Sequence, residues 1–106
     1  MRAMRLIVMF DLPMGNAEER KSYVDFRKFL VEDGYEMDQF SVYTRTLLTR
    51  ESIGAHIGGL EANLPLAGVV TAFEMTEKQY ANRWQLLNTR RPTVAEDERA
   101  QLTFVL

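Results

Sequence analysis

The first unbroken apolar run along the chain is Leu6-Ile7-Val8-Met9-Phe10, and it stops at Asp11. A continuous run of strand formers without alternation predicts a central strand covered on both faces. Pro13 and Gly15 end it. Asn16 then stands where a helix needs a cap, with Glu19 three residues on, a capping-box spacing with Asn in place of Ser or Thr. This helix is predicted to run to about Asp33, with Gly34 as its left-handed stop. At about 100° per residue, Tyr23, Phe26, Phe29, Leu30 and Asp33 share one side, which makes it the core side.

After Gly34 the period changes to two. Phe40, Val42, Thr44 and Thr46 alternate with Gln39, Ser41, Tyr43 and Arg45, the mark of a strand, preceded by a short extended piece at Glu36 to Asp38. Thr49 is placed to cap a second helix, in which Ile53, Ile57, Leu60 and Leu64 line one face until Pro65. Gly68 to Met75 reads as a further strand, with Val69, Thr71, Phe73 and Met75 on one side. Thr76 and Gln79 form a second capping-box spacing, starting a short helix with Tyr80 and Trp84, and Leu102 to Leu106 is a final short strand. Strands alternating with one-sided amphipathic helices predict an α+β sandwich, with the ferredoxin-like split βαβ arrangement as the natural candidate. An antiparallel sheet would then carry two main helices on one face. The expected organisation is a single domain over residues 1–106, with a core over 4–82 and an extension over 83–106.

Composition narrows the function classes. Among 106 residues there is no cysteine, which excludes disulfides, a thiol nucleophile and thiolate metal sites. The apolar run after the N-terminus is too short for a signal-peptide core or a membrane span, so the expectation is a cytoplasmic protein without a membrane partner. Met4 is an alternative to Met1 as the natural start. A net charge of −2 argues, as a total, against nucleic acid. The total hides a pattern in the first helix. Arg20 and Arg27 are seven apart, as are Lys21 and Lys28, and the four fall within roughly 120° of arc. Glu18, Asp25 and Glu32 repeat at the same interval as an adjacent acidic stripe. Such stripes are commonly a solvated face laced with ion pairs, and the alternative is a ridge that faces phosphates. Arg45, Arg50, Arg90 and Arg91 could extend a basic surface.

Asp11 is the most informative single residue, a carboxylate at the carboxyl end of a buried strand, where clefts open in layered α/β folds. The plain alternative is a turn residue. One carboxylate is a poor divalent-metal site, and no second acid is clustered near it in sequence, so a metal there needs a ligand from elsewhere, as a two-fold dimer would supply. Ser41 and Tyr43, assigned to the strand face opposite Phe40 and Val42, are candidates to stand near Asp11. His56 is the only histidine and has no partner at metal spacing. There is neither a Gly-rich phosphate loop nor a nucleophile elbow.

The strand ending in Phe10-Asp11, the capped first helix, and Gln39-Phe40-Ser41-Val42-Tyr43 together resemble the CRISPR-associated Cas2 family of small adaptation proteins. Gly68 to Met75 followed by Thr76-Glu77-Lys78-Gln79 is similar to that family's last core strand and turn, so the resemblance covers about residues 4 to 82 and the final strand. Leu12-Pro13-Met14 and Asp38-Gln39-Phe40-Ser41-Val42 look most like variants of type II systems. The resemblance implies a ferredoxin-like homodimer in which Leu102, Phe104 and Leu106 pair with the partner's sheet. It implies that Asp11 is a metal-binding aspartate shared across the two-fold axis, taking magnesium or manganese, with Ser41 and Tyr43 as further catalytic candidates. It also implies two roles. One is an adaptor that binds duplex protospacer DNA and joins the larger Cas1 integrase during spacer acquisition; the spacing of Arg20, Lys21, Arg27 and Lys28, with Arg45, rather than a residue-by-residue match to the family, makes them the candidate DNA-binding residues. The other is a metal-dependent endonuclease on RNA, single-stranded RNA included, or on DNA. Where many members carry tyrosine before the aspartate, this chain has Phe10. Outside the resemblance, a ferredoxin-like regulator binding a small effector is the remaining class, because this fold hosts many functions.

Overall fold

The computed structural model describes residues 3–90. The elements run β1 (Met4–Asp11), α1 (Ala17–Glu32), β2 (Glu36–Gln39), β3 (Val42–Leu47), a 3-10 turn (Arg50–Ser52), α2 (Ile53–Ala62), β4 (Val69–Thr76) and α3 (Glu77–Ala81). The expected final strand, with Leu102, Phe104 and Leu106, lies outside the described residues.

The sheet order is β2-β3-β1-β4, and every pairing is antiparallel. With α1 and α2 on one face, this is the ferredoxin-like arrangement. β1 is internal, as its apolar run predicts, and its residues divide by parity. Met4, Leu6, Val8 and Phe10 enter the core with Phe26 and Leu30 of α1 and Leu60 of α2. Arg5, Ile7, Met9 and Asp11 point to the other face, where Ile7 is buried while Met9 and Asp11 are exposed. The strand therefore has one fully covered face and one that opens toward its end. Phe10 packs edge-on to Phe26 at 5.4 Å between ring centroids and stacks on Tyr43 at 5.7 Å.

The caps explain where α1 begins and ends. The Asn16 side chain accepts from Glu19 N at 2.8 Å, and the Glu19 carboxylate accepts from Gly15 N rather than from the cap residue itself. At the other end Gly34 takes φ 96°, its N–H donates to Val31 O, and Tyr35 N–H donates to Leu30 O, the two bonds of a Schellman stop. Leu30 and Tyr35 are both buried, which supplies the apolar contact that accompanies this motif.

Three expectations are corrected. The extended piece at Glu36 to Asp38 and the alternation after it do not run on through Phe40 and Ser41 as strand but pair with each other as a hairpin, β2 with β3. Phe40 and Ser41 form its turn, Ser41 at φ 63°, and a bulge lies between Met37 and Gln39. Within β3 the expected alternation holds, with Tyr43, Arg45 and Leu47 on the core side of the sheet and Val42, Thr44 and Thr46 on the open side. Phe40, in the turn, stands 86% exposed. Thr49 makes no side-chain cap, since a 3-10 turn precedes α2 and the Ser52 hydroxyl donates to Thr49 O. The apolar stripes of the last two helices are shorter than expected. α2 stops at Ala62, before Pro65, leaving Leu64 exposed, and α3 stops at Ala81, leaving Trp84 exposed. The Thr76–Gln79 box forms with both of its hydrogen bonds.

Gly68 sits where β4 approaches the end of β1, at φ 110°, and a Cβ built there would lie 2.5 Å from the Asp11 carbonyl oxygen. Gly68→Ala is expected to lower stability by more than about 1 kcal/mol, because both the dihedral and the space are wrong. Chemical denaturation checks it, and an unchanged midpoint would show that the junction relaxes freely.

Candidate functional site

Asp11 ends β1 opposite Val69 of β4, on the face without α1 and α2. Its backbone is held from two sides. Phe10 N donates to Ser41 O at 3.0 Å, and Gly68 packs against the Asp11 carbonyl. The side chain is exposed, and the ion pairs among the described residues involve other acids. An exposed, unclaimed carboxylate is a hard oxygen donor of the kind magnesium takes, but it is one ligand. Among the described residues no group of three His, Asp or Glu side chains could hold a metal. The fit is that of part of a site, one oxygen donor that needs further ligands from beyond the described residues.

Ser41 is brought to this end of the sheet, in the turn beside Phe10. Tyr43 is not. Paired with Val8 on the core side of β3, it is 1% exposed and lies on the face away from Asp11. Its hydroxyl meets α1 instead, accepting from Arg27 Nε at 2.8 Å. Of the two candidates for a place near Asp11, Ser41 is there and Tyr43 is not, because Ser41 lies in the hairpin turn and the Tyr43 side of β3 is the side that faces the core.

The cations of α1 differ in their settings. Arg20, Lys21, Arg27 and Lys28 are all exposed, beside the equally exposed Val24 and Val31. Lys21 pairs with Asp25 at 2.7 Å, an i,i+4 contact that raises the lysine pKa through its hydrogen bond. Such a solvated pair holds its partners loosely. Arg20 reaches toward Met14 O at 3.5 Å. Arg45 does not extend this ridge. It turns to the C-terminus of α1, where it donates to the Asp33 carbonyl and stands 3.4 Å from the Asp33 carboxylate. A cation at a helix C-terminus completes carbonyls that have no intrahelical partner. His56 approaches the same carboxylate at 3.6 Å. Asp33 thus gathers two basic side chains at the edge of the core face.

Beneath Arg45 lies the ring of Tyr35, with the guanidinium 5.6 Å from its centroid. The Tyr35 hydroxyl is buried with no hydrogen-bond partner among the described residues. Burial, reinforced by Asp33, pushes its pKa up to about 12.

The open sheet face carries a network that no local pattern announces. Arg5 Nη2 binds Glu77 Oε1 at 2.7 Å, Arg5 Nη1 donates to Thr44 Oγ1 at 2.9 Å, and Thr46 Oγ1 donates to Glu77 at 3.0 Å. The Arg5 hydrogen bond is the main cause that holds the Glu77 carboxyl below its usual range. Arg5 and Arg83 both lie over the Tyr80 ring, at 4.1 and 3.9 Å, and the Tyr80 hydroxyl donates to Asp38. Arg5 and Glu77 are 72 residues apart, so only the fold joins them. The one sequence signal was the Thr76–Gln79 box, which places Glu77 in the first turn of α3.

The family model described as CRISPR associated protein Cas2 matches residues 4–83. The chain belongs to the Cas2 family. Curated relatives carry the name CRISPR-associated endoribonuclease Cas2. The chain is similar to one from Streptococcus mutans, at 45% identity over 96% of this chain and 93% of the relative. It is similar to one from Ligilactobacillus salivarius, at 40% identity over 97% of this chain and all of the relative. One from Acidovorax ebreus is 47% identical over 74% of this chain and 78% of the relative. No helix among the described residues of this Cas2 chain is long and apolar enough to cross a membrane.

Tyr35→Phe tests the orphaned hydroxyl of this Cas2 protein. Removing it is expected to raise stability by about 1 kcal/mol near neutral pH, because a desolvated donor without a partner is lost. The folded pKa lies above the unfolded one near 10, so the tyrosine's contribution is intact below pH 10 and is lost as pH rises to about 12. The advantage of Tyr35→Phe over wild type should therefore widen across that interval in denaturation midpoints.

Proposed function

We propose that this Cas2 protein serves CRISPR adaptation as a homodimeric scaffold, binding duplex protospacer DNA and joining the Cas1 integrase in spacer acquisition. The observation that carries this reading is the division of charge between the two sides of the fold. Arg20, Arg27 and Lys28 are exposed on α1 and form no ion pair among the described residues, while the opposite sheet face is open. On that open face Met9, Val69 and Phe73 are 41%, 62% and 41% exposed, which favours covering by a second copy. Sheet-to-sheet pairing would turn both cationic helices outward, where a duplex backbone can be followed, and would turn both Asp11 residues inward. The net charge of −2 is compatible with this, because phosphate contacts depend on local spacing rather than on the total.

The second reading is a metal-dependent endonuclease, primarily on RNA, and the name borne by the relatives favours it. Asp11 from each subunit would hold one magnesium ion, or manganese, between them. A bound ion of this kind acidifies a water and offsets charge on a scissile phosphate. The chain's own part is to hold the end of β1 rigid, through the Ser41 carbonyl and the close approach of Gly68. Ser41 is the further candidate beside Asp11, and Tyr43 has no place in this chemistry within one chain.

Duplex binding, Cas1 pull-down, RNA cleavage in magnesium and spacer acquisition, measured together, separate the readings. Reversing Arg20 and Lys28 to Glu is expected to weaken duplex binding at least tenfold near 0.1 M salt and to flatten the salt slope by roughly one unit for each phosphate no longer neutralised. Asp11→Ala is expected to abolish RNA cleavage and to leave duplex binding and the pull-down intact. Continued acquisition in Asp11→Ala would favour the scaffold over the nuclease. Failure to associate with Cas1 would remove the scaffold reading.

A further inference from the structure

From the buried side of β3 we infer that Tyr43 is a positioning residue for a phosphate-contacting arginine: its hydroxyl, reaching through the core to α1, holds Arg27 Nε and aims the rest of the guanidinium outward. The inference rests on the proposed duplex-binding role of α1 and adds a specific residue to it.

Tyr43 is well suited to hold something still. Its ring is 1% exposed and stacks at 26° on Phe10, which is itself locked edge-on against Phe26. The ring has no rotational freedom to spare, so the hydroxyl is a fixed point at the rim of the core. Arg27 donates its Nε–H to that point at 2.8 Å. Using Nε leaves both Nη groups, a planar pair of donors spaced for two oxygens of one phosphate. A flexible arginine must be ordered when it binds, and one already held loses less on binding.

The other cations of the ridge lack such a support among the described residues. Lys21 is tied only to Asp25, an acid that competes with phosphate, and the two side chains are 76% and 58% exposed. Arg20 makes only the long contact to Met14 O. Arg27 is thus the ridge cation whose direction is set by a buried group, and it is held by a neutral oxygen that leaves its full charge available.

Binding of a labelled duplex to the purified protein tests this, across a salt series, with Tyr43→Phe, Arg27→Gln, Arg27→Lys and the Tyr43→Phe/Arg27→Gln double variant. Tyr43→Phe keeps the ring and is expected to weaken binding about three- to tenfold with an unchanged salt slope, since no charge is removed. Arg27→Lys leaves the core untouched and keeps the charge but has no Nε, so it should weaken binding to the same degree even if Tyr43→Phe folds poorly. Arg27→Gln should weaken binding further and lower the slope by roughly one. In the Arg27→Gln background, Tyr43→Phe should have no additional effect. An equal loss from Tyr43→Phe in both backgrounds would assign Tyr43 to packing alone and overturn the inference. So would full binding by Tyr43→Phe and Arg27→Lys while Arg27→Gln is weak, which leaves the ridge itself standing. If reversal of Arg20 and Lys28 also changes nothing, the duplex-binding role fails and the inference falls with it.

Discussion

Every functional feature of this chain depends on the two-sidedness of β1. A strand sends alternate side chains to opposite faces, and the central position of β1 between β3 and β4 gives it no freedom to slip. Leu6, Val8 and Phe10 must be buried against α1 and α2, so Arg5, Ile7, Met9 and Asp11 must face the other way. A register shift of one residue would put the Asp11 carboxylate into the aromatic cluster around Phe10, where an unpaired charge is prohibitive. The hydrophobic burial of one parity thus determines the exposure of the acid at the strand's end. Ser41 O, bound to Phe10 N from the hairpin turn, and Gly68, against the Asp11 carbonyl just before β4, then hold the end of the strand from its two sides.

The same cluster reaches outward on the helix side. Phe10 touches Tyr23, Phe26 and Tyr43, so the strand that presents Asp11 also braces the ring that meets Arg27. At the far end of α1 the Schellman stop at Gly34 folds Tyr35 under Leu30 and opens carbonyls that Arg45 completes. Arginine is used here in two ways that its sequence context does not distinguish. Arg27 is exposed and supported by a neutral hydroxyl. Arg45 is half-buried and spent on Asp33.

Much of this was legible in the sequence, and the reason is local. The apolar run of β1, the Asn16 cap, the Gly34 stop and the Thr76–Gln79 box are signals within a few residues, and each is realised in the fold. What the pattern leaves out depends on turns and on distance. Phe40 and Ser41 fit an alternating pattern, yet Ser41 at φ 63° makes them a hairpin turn, with a bulge before it. The alternation of Val42 to Leu47 holds, but periodicity does not say which of its two sides meets the helices, and it is the side of Tyr43 that does. The Arg5–Glu77 pair and the Tyr80–Asp38 contact join residues 72 and 42 positions apart, and only sheet topology brings them together. The basic ridge of α1 was visible as spacing. Which of its cations is held was not, since that depends on where Tyr43 points.

The separation of the two candidate chemistries follows from the layers. Asp11 lies on the open face of the sheet, and the cations of α1 lie in the helix layer on the other side of the core. The packed layer of Phe10, Phe26 and Tyr43 lies between them, so Asp11 and the α1 cations face solvent from different sides of the core. The α1 cations cannot directly offset charge on a phosphate being cut at Asp11, and the acid cannot repel a duplex lying along α1 at contact range. Cleavage at Asp11 would need a strand admitted at the open sheet face, whereas duplex binding along α1 would need only the helix side. A small chain of mildly negative total charge can carry a locally cationic helix for this reason: Asp11 is on the other side of the sheet, and among the ridge cations of α1 only Lys21 is paired with an acid among the described residues.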